Sequence, residues 1–143
     1  MANRVVVSQS RPLHPLHAIF LAFPLPLFLG ALLSDLAYAS NFHVQWINFA
    51  QWLNAGGLLV GAFALVWALI VLLRSDAVLK RRHAAYFFAL LAMWVLGFIN
   101  ALVHGKDAFA SMPAGIYLSV VATLLALIAA WIGYSGFHNT EVK

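Results

Sequence analysis

The sequence predicts an all-α integral membrane protein, a four-helix bundle with both termini in the cytoplasm. Three observations predict this: the apolar composition, four apolar runs of spanning length, and an uneven distribution of basic residues. Of the 143 residues, 64% are hydrophobic and 8% are charged, and the mean hydropathy is +0.93. An average soluble domain is about half apolar and about a quarter charged. The composition therefore excludes an ordinary soluble domain, and it excludes a disordered chain for the same reason.

Four apolar runs account for most of the chain. A spanning helix needs roughly 20 apolar residues, and each run is near that length. None of the runs alternates with period two, so helices are favoured over barrel strands. No length is left for a second domain, and we predict a single transmembrane domain over residues 1–143. Its predicted spans cover about residues 16–39, 53–73, 84–103 and 114–134.

The first predicted span contains internal prolines. Pro24 and Pro26 lie inside it, and because each removes a backbone hydrogen bond they predict a kink. The segment also imitates a signal peptide, since basic residues precede it and a small-x-small triplet ends it at Ala39. We expect a retained helix instead, because the apolar stretch is long, holds two prolines, and carries Asp35 just before the supposed cleavage site.

The other three predicted spans each have a local feature at a defined position. The second contains a G-x-x-x-G step at Gly57 and Gly61, which permits close helix packing. The third follows the basic run at residues 80–82. The fourth ends with Trp131 and Tyr134, and such aromatic residues are typical of the membrane interface.

Basic residues predict the orientation in the membrane. Only Lys106 falls on one side of the four predicted spans. The other seven fall on the side of the termini: Arg4, Arg11, Arg74, Lys80, Arg81, Arg82 and Lys143. The positive-inside rule then places both termini and the loop at residues 74–83 in the cytoplasm, and we expect an inner (plasma) membrane location. Lipid headgroups are the expected partners of these cations, and nucleic acid is not expected despite a pI of about 9.9.

Histidines are the main candidates for cofactor chemistry, because the chain has no cysteine. That absence excludes disulfides, thiolate metal sites, iron–sulfur clusters and c-type haem attachment. The topology places His43 and His104 at the outer ends of the spans. It places the other four at the cytoplasmic ends, and we call these the four-histidine group: His14, His17, His83 and His138.

Imidazole nitrogen is a ligand for haem iron, copper and zinc. Haem b in a bundle needs histidines from two helices, and pairs within the four-histidine group meet that need. His43 and His104 are the candidates for a second haem on the outer side. Copper or zinc at the four-histidine group is an alternative, although soft ligands are scarce without cysteine. Each histidine alone also fits an interfacial role, in which its ring bridges apolar and wet layers.

A second polar group is predicted near the outer ends of the spans. Asp35, Asn54 and Asn100 lie at similar depth, and His104 follows Asn100 by one helical turn. A carboxylate inside a span is expensive and points to function by default. One hypothesis is a proton or quinone site, in which Asp35 moves protons, binds a quinone headgroup, or fixes the tautomer of His104 or His43. The alternative, which the shallow position of these residues favours, is a structural hydrogen bond from Asp35 to Asn54 or Asn100.

A set of residues along the chain resembles one known family. The set consists of His14-Pro15-Leu16-His17, Phe23-Pro24, Gly30, Asp35, Tyr38, Arg82-His83, Asn100, Pro113, Ser119 and Trp131-Ile132-Gly133. It resembles the domain of unknown function 2231 family, small bacterial membrane proteins with four predicted helices, over roughly residues 12–138. The family often has proline where Ala18 stands. Its members are found beside or fused to Rieske domains, cytochromes c and quinoprotein dehydrogenases, so the resemblance implies an electron-transfer or anchoring setting.

We therefore expect a small redox-associated membrane subunit rather than a stand-alone enzyme. It would bind b-type haem and relay electrons to or from quinone or a partner redox protein. Three alternatives stay open: a non-catalytic anchor or assembly subunit of a larger complex, a copper- or zinc-handling protein, and a proton-coupled transporter. The transporter would need the chain to form a homo-oligomer, because four short helices make a small pathway.

Overall fold

The computed structural model describes residues 13–106 and 108–135, and within them the chain forms helices and no strand. The first span consists of two helices in sequence, and each of the other spans is one helix. The helices are α1 (Pro15–Ala22), α2 (Pro24–Asn41), α3 (Val44–Leu73), α4 (Ala77–His104) and α5 (Ala114–Ser135), with a short 3-10 helix at Ala108–Ser111.

All four spans are long and apolar enough to cross a membrane, which confirms the predicted fold class and number of spans. Two predicted starts are late: α3 begins at Val44 rather than 53, and α4 begins at Ala77 rather than 84. An apolar run marks only the part of a helix that lies in hydrocarbon. The helix itself continues into the polar interface, because its backbone hydrogen bonds are made internally. The cytoplasmic placement of the termini stays a prediction.

The first span is interrupted at Phe23, as its prolines predict. Pro24 and Pro26 have no backbone N–H, so two helical hydrogen bonds cannot form around this residue. The helical pattern resumes with the N–H of Leu27, which donates to the carbonyl oxygen of Phe23 at 3.2 Å. The first span therefore crosses the bundle as two stacked helices.

The four spans form an antiparallel ring. The first span packs against α3 and α5, α4 packs against the same two helices, and so the first span and α4 lie diagonally across the centre. We call the end that holds Pro15, the connection at residues 74–76 and Ser135 the terminal end. The other end, with the connections at residues 42–43 and 105–113, is the distal end.

Phe28 has the largest of the fully buried side chains among the described residues and is 1% exposed. Two glycines make room for its ring: a Cβ atom on Gly57 would lie 3.1 Å from Phe28 Cε1, and one on Gly97 would lie 3.0 Å from Phe28 Cζ. Gly61 packs in the same way against Met93, whose Cε would be 3.4 Å from an added Cβ. Small residues drive packing inside membranes, where helix association has no hydrophobic effect to rely on. The close packing predicted for the G-x-x-x-G step is confirmed.

Candidate functional site

Asp35 is a fully buried carboxylate on α2, with 0% of its surface exposed. Both of its oxygens are hydrogen-bonded. Oδ1 lies 2.7 Å from Nε2 of His104 at the end of α4, and Oδ2 accepts a hydrogen bond from the hydroxyl of Ser119 on α5 at 2.5 Å. One side chain therefore joins three of the four spans at the distal end.

The imidazole of His104 is held by both of its nitrogens. Nδ1 lies 2.9 Å from the backbone carbonyl oxygen of Asn100. Because a carbonyl oxygen can only accept, Nδ1 carries a hydrogen. A 2.7 Å contact between Nε2 and Asp35 Oδ1 then requires one more proton between these two atoms. The proton belongs either to an imidazolium beside a carboxylate or to a carboxylic acid beside a neutral imidazole, and both forms have zero net charge.

Ser119 links Asp35 to the amide of Asn100 through two hydrogen bonds. Its hydroxyl hydrogen goes to Asp35, so its oxygen accepts from Nδ2 of Asn100 at 2.9 Å. All four side chains are at most 3% exposed. We call this set the distal network: Asp35, Asn100, His104 and Ser119.

The first turn of α5 closes directly over the imidazole ring. A Cβ atom on Gly115 would lie 3.1 Å from Cε1 of His104, which is tighter than an ordinary contact. Only a glycine lets the α5 backbone approach the ring so closely. The helix start therefore shields the His104–Asp35 contact from the surface.

Asn54 adds a residue of the second span to this end of the bundle. It is 0% exposed, and its Nδ2 donates to the backbone carbonyl oxygen of Gly97 at 3.2 Å, one helical turn before Asn100. The predicted similar depth of Asp35, Asn54 and Asn100 matches this arrangement. Among the described residues, Asp35 makes no direct bond to Asn54 or Asn100, because the amide of Asn54 donates to Gly97 and that of Asn100 donates to Ser119.

A second polar cluster lies at the terminal end. Nε2 of His17 is 2.8 Å from the hydroxyl oxygen of Tyr86 on α4, across the centre of the bundle. The indole of Trp67 stacks with the ring of His17 at a centroid distance of 5.6 Å and contacts the tilted ring of His14 at 4.9 Å. His83 is half-buried on α4, one turn before Tyr86. We call this set the terminal cluster: His14, His17, Trp67 and Tyr86.

The predicted ligand residues are distributed over both ends. His43 precedes α3 and is exposed, whereas His104 is buried with both ring nitrogens bonded, so a haem ligated by His104 would require one of those bonds to break. His138 lies outside the described residues. Within the described part of the chain, no group of three or more His, Cys, Asp or Glu side chains is arranged to hold a metal ion. The haem and metal assignments stay predictions.

Two residues that make key contacts are not among the predicted site residues: the sequence marks Ser119 only through the family resemblance, and it does not mark Tyr86. Each is one hydroxyl in a long apolar span, and hydroxyls there commonly bond to the backbone of their own helix. Thr123 does so, since its hydroxyl donates to the carbonyl oxygen of Ser119 at 2.7 Å. Whether such a hydroxyl faces another helix or bonds to its own backbone depends on how the helix is rotated. An apolar run in the sequence does not reveal that rotation.

A family model described as predicted membrane protein, DUF2231, matches residues 13–142. The chain belongs to the DUF2231 family. The match covers nearly the whole chain and confirms the resemblance, and the distal network of this DUF2231 protein lies within it. Neither the comparison with curated proteins nor that with solved structures gave a match.

Proposed function

We propose that this DUF2231 protein is a membrane subunit that binds one exchangeable proton between Asp35 and His104. In the redox setting that the family resemblance implies, this proton would accompany electron transfer by a quinone or a partner redox protein. The observation that supports the proposal is the 2.7 Å contact between two ionisable side chains, both fully buried within membrane spans.

Placing two ionisable side chains inside membrane spans costs free energy, which argues for a function. A charged side chain inside a membrane span costs several kcal/mol by most measures, and such residues mark proton relays or ligand sites by default. The cost is reduced here because Asp35 and His104 share a proton with zero net charge. A second proton would leave one buried positive charge, and loss of the shared proton would leave one buried negative charge. Occupancy of the site is therefore coupled to any nearby change of charge, such as reduction of a quinone.

A purely structural role does not need ionisable groups. Neutral side chains already join the spans elsewhere in the bundle: Trp94 Nε1 donates to the carbonyl oxygen of Leu58 at 3.0 Å, and Asn54 bonds in the same way to Gly97. Such neutral bonds satisfy buried polar groups without any cost of burying charge. The use of a carboxylate and an imidazole at one point favours a titratable site there.

The test is nuclear magnetic resonance of the histidine ring nitrogens in protein reconstituted into lipid nanodiscs. The pH is varied over the range in which the backbone spectrum is unchanged. We expect the His104 ring signals to change with pH, and to change pattern in the Asp35→Asn variant. His43, which is exposed, gives the comparison signal in the same sample. A His104 spectrum that is constant over that range would mean that the pair is only a structural link between helices.

A second candidate function is haem b binding at the terminal end, and one observation favours it. Nδ1 of His17 is buried and has no hydrogen-bond partner among the described residues, while Nε2 is bonded to Tyr86. A haem iron held by two histidines needs one from each of two helices. His17 of the first span would supply one, and His83 of α4 or His138 the other. The haem, when bound, would supply one-electron redox chemistry.

The haem candidate has its own direct test. The protein, expressed with haem supplied, is purified in mild detergent, and visible spectra are recorded before and after reduction with dithionite. A Soret band with sharp α and β bands would support haem, and we expect His17→Ala to alter it and the exposed His43→Ala to leave it unchanged. A colourless preparation would remove the haem candidate. Elemental analysis of the same sample then decides between a copper or zinc protein and a metal-free anchor subunit.

A further inference from the structure

We propose that the side-chain carbonyl oxygens of Asn54 and Asn100 form a buried water-binding site beside the distal network. These two oxygen atoms are buried and have no hydrogen-bond partner among the described residues. The inference stands on hydrogen bonding alone and does not depend on the proposed proton function. An unpaired buried polar atom is unfavourable because it has lost its hydrogen bonds to water, so native structures rarely leave two of them in one place.

The orientation of the Asn100 amide is fixed by its neighbour. The hydroxyl of Ser119 donates its only hydrogen to Asp35, so its oxygen can only accept from Asn100. The NH2 group of Asn100 must therefore face Ser119, and its Oδ1 atom faces away from the distal network.

The Asn54 amide is fixed in the same way. Its contact is the backbone carbonyl oxygen of Gly97, which can only accept, so the NH2 group of Asn54 must face it. The Oδ1 atom of Asn54 is left over. Both unpaired atoms are thus acceptors, and the ligand that satisfies them must supply hydrogen-bond donors or positive charge.

The two amides lie beside the same turn of α4. Nδ2 of Asn54 is 3.2 Å from the carbonyl oxygen of Gly97, and Asn100 follows Gly97 by three residues on the same face of that helix. One small molecule with two donor hydrogens, placed beside this turn, would satisfy both amide oxygens.

Burial and the number of available ligand atoms favour water. Both asparagines are 0% exposed, and the Phe28 ring packs closely against Gly57 and Gly97. A divalent cation needs about six or more oxygen ligands, whereas a buried water is satisfied by two to four partners. The two amide oxygens supply the number of partners that a buried water needs.

A water at this position would join the second span to the polar contacts of the other three. Asp35, Asn100 with His104, and Ser119 already connect the first, third and fourth spans. With the water donating to Asn54 and Asn100, every span would contribute a side chain to one hydrogen-bonded group.

The first test is a crystal structure grown from a lipid mesophase, at a resolution that orders water. We expect one water within about 2.7–3.2 Å of both amide oxygens. The proposal is overturned if protein donors satisfy the two oxygens directly, or if the density belongs to a cation whose occupancy follows the sodium or potassium concentration.

The second test works in solution, with infrared spectra of the O–H stretching region before and after transfer to deuterated water. We expect a band from the bound water that is lost in Asn54→Leu and kept in Asn48→Leu, a matched change at an exposed asparagine of the same helix. Loss of the band in neither variant would contradict the proposal. If circular dichroism shows that Asn54→Leu does not fold, the crystal structure of the unaltered chain decides.

Discussion

Tyr86 and His104 lie 18 residues apart on α4, which is five full helical turns, so both side chains leave the helix from the same face. Their partners, His17 and Asp35, are also 18 residues apart, and each pair is separated by 69 residues in the sequence. Both bonds cross the centre of the bundle between diagonal spans. The first span and α4 are therefore held in one register by two polar links, about 27 Å apart.

The contributions of Asp35 and His104 to the free energy of unfolding should be strongly coupled. We expect Asp35→Ala to lower the free energy of unfolding by about 3–5 kcal/mol, because it leaves a buried imidazole without its partner. The double variant Asp35→Leu with His104→Leu should recover most of that loss, since it removes both polar groups together. Reversible unfolding in mixed micelles, followed by circular dichroism, measures the difference.

The control for the Asp35 variants is Asp76→Ala. Asp76 is exposed before α4, and its side chain caps no backbone group, so the change should be nearly neutral. A double variant as unstable as the sum of its two single variants would show that the two side chains are not coupled.

Ser119 should be more important than another buried serine of similar exposure. Ser119→Ala removes bonds to two other helices, and we expect a loss of about 0.6–2 kcal/mol in unfolding free energy. Ser34→Ala removes only a bond to Gly30 in the same helix, so its effect should be smaller. Equal effects of the two changes, measured by the same unfolding method, would argue against a cross-helix role for Ser119.

The hydroxyl of Tyr86 should contribute to stability separately from its ring. Tyr86→Phe keeps the packing volume but leaves Nε2 of His17 without its partner, so we expect a loss of about 1–2 kcal/mol in unfolding free energy. Tyr117→Phe is the matched control at an exposed position and should change little. If Tyr86→Phe is as mild as the control, the His17 contact contributes little to the fold.

Gly133 should not tolerate a methyl group. A Cβ atom there would overlap Leu21 and lie 3.0 Å from the Tyr86 ring, which His17 holds in place. We expect Gly133→Ala to lower the unfolding temperature, at a cost of about 1–3 kcal/mol. Gly56→Ala meets only Leu27 at 3.6 Å and should be neutral or stabilising, because alanine favours the helix. A stable Gly133→Ala variant would show that the helix ends can separate at little cost.

The number of spans and the break in the first span could be predicted from the sequence, because apolar length and proline chemistry act locally. Asp35, Asn100 and His104 were also predictable as a group, since polar residues in apolar spans are conspicuous and their depth follows from residue count. The starts of α3 and α4 were not predictable in the same way, because polar residues interrupt the apolar pattern in the first turns of both helices.

The partners within each cluster could not be predicted, because they depend on how each helix is rotated and on which spans are diagonal. Ser119 faces Asp35 and Tyr86 faces His17 only because α5 and α4 present those faces to the centre. The contacts of the Trp67 ring with His14 and His17 could not be predicted either, because they join residues of two different parts of the bundle.

The apolar middle of the bundle acts as an electrical insulator between its two polar ends. Among the described residues, the buried side chains around Phe28, Leu90 and Met93 offer no group that can carry a proton. On the proposed function, a proton bound at Asp35 would exchange with the distal face of the membrane, and His17 would respond to the terminal face. The two ends would then respond to different compartments without dissipating a gradient between them.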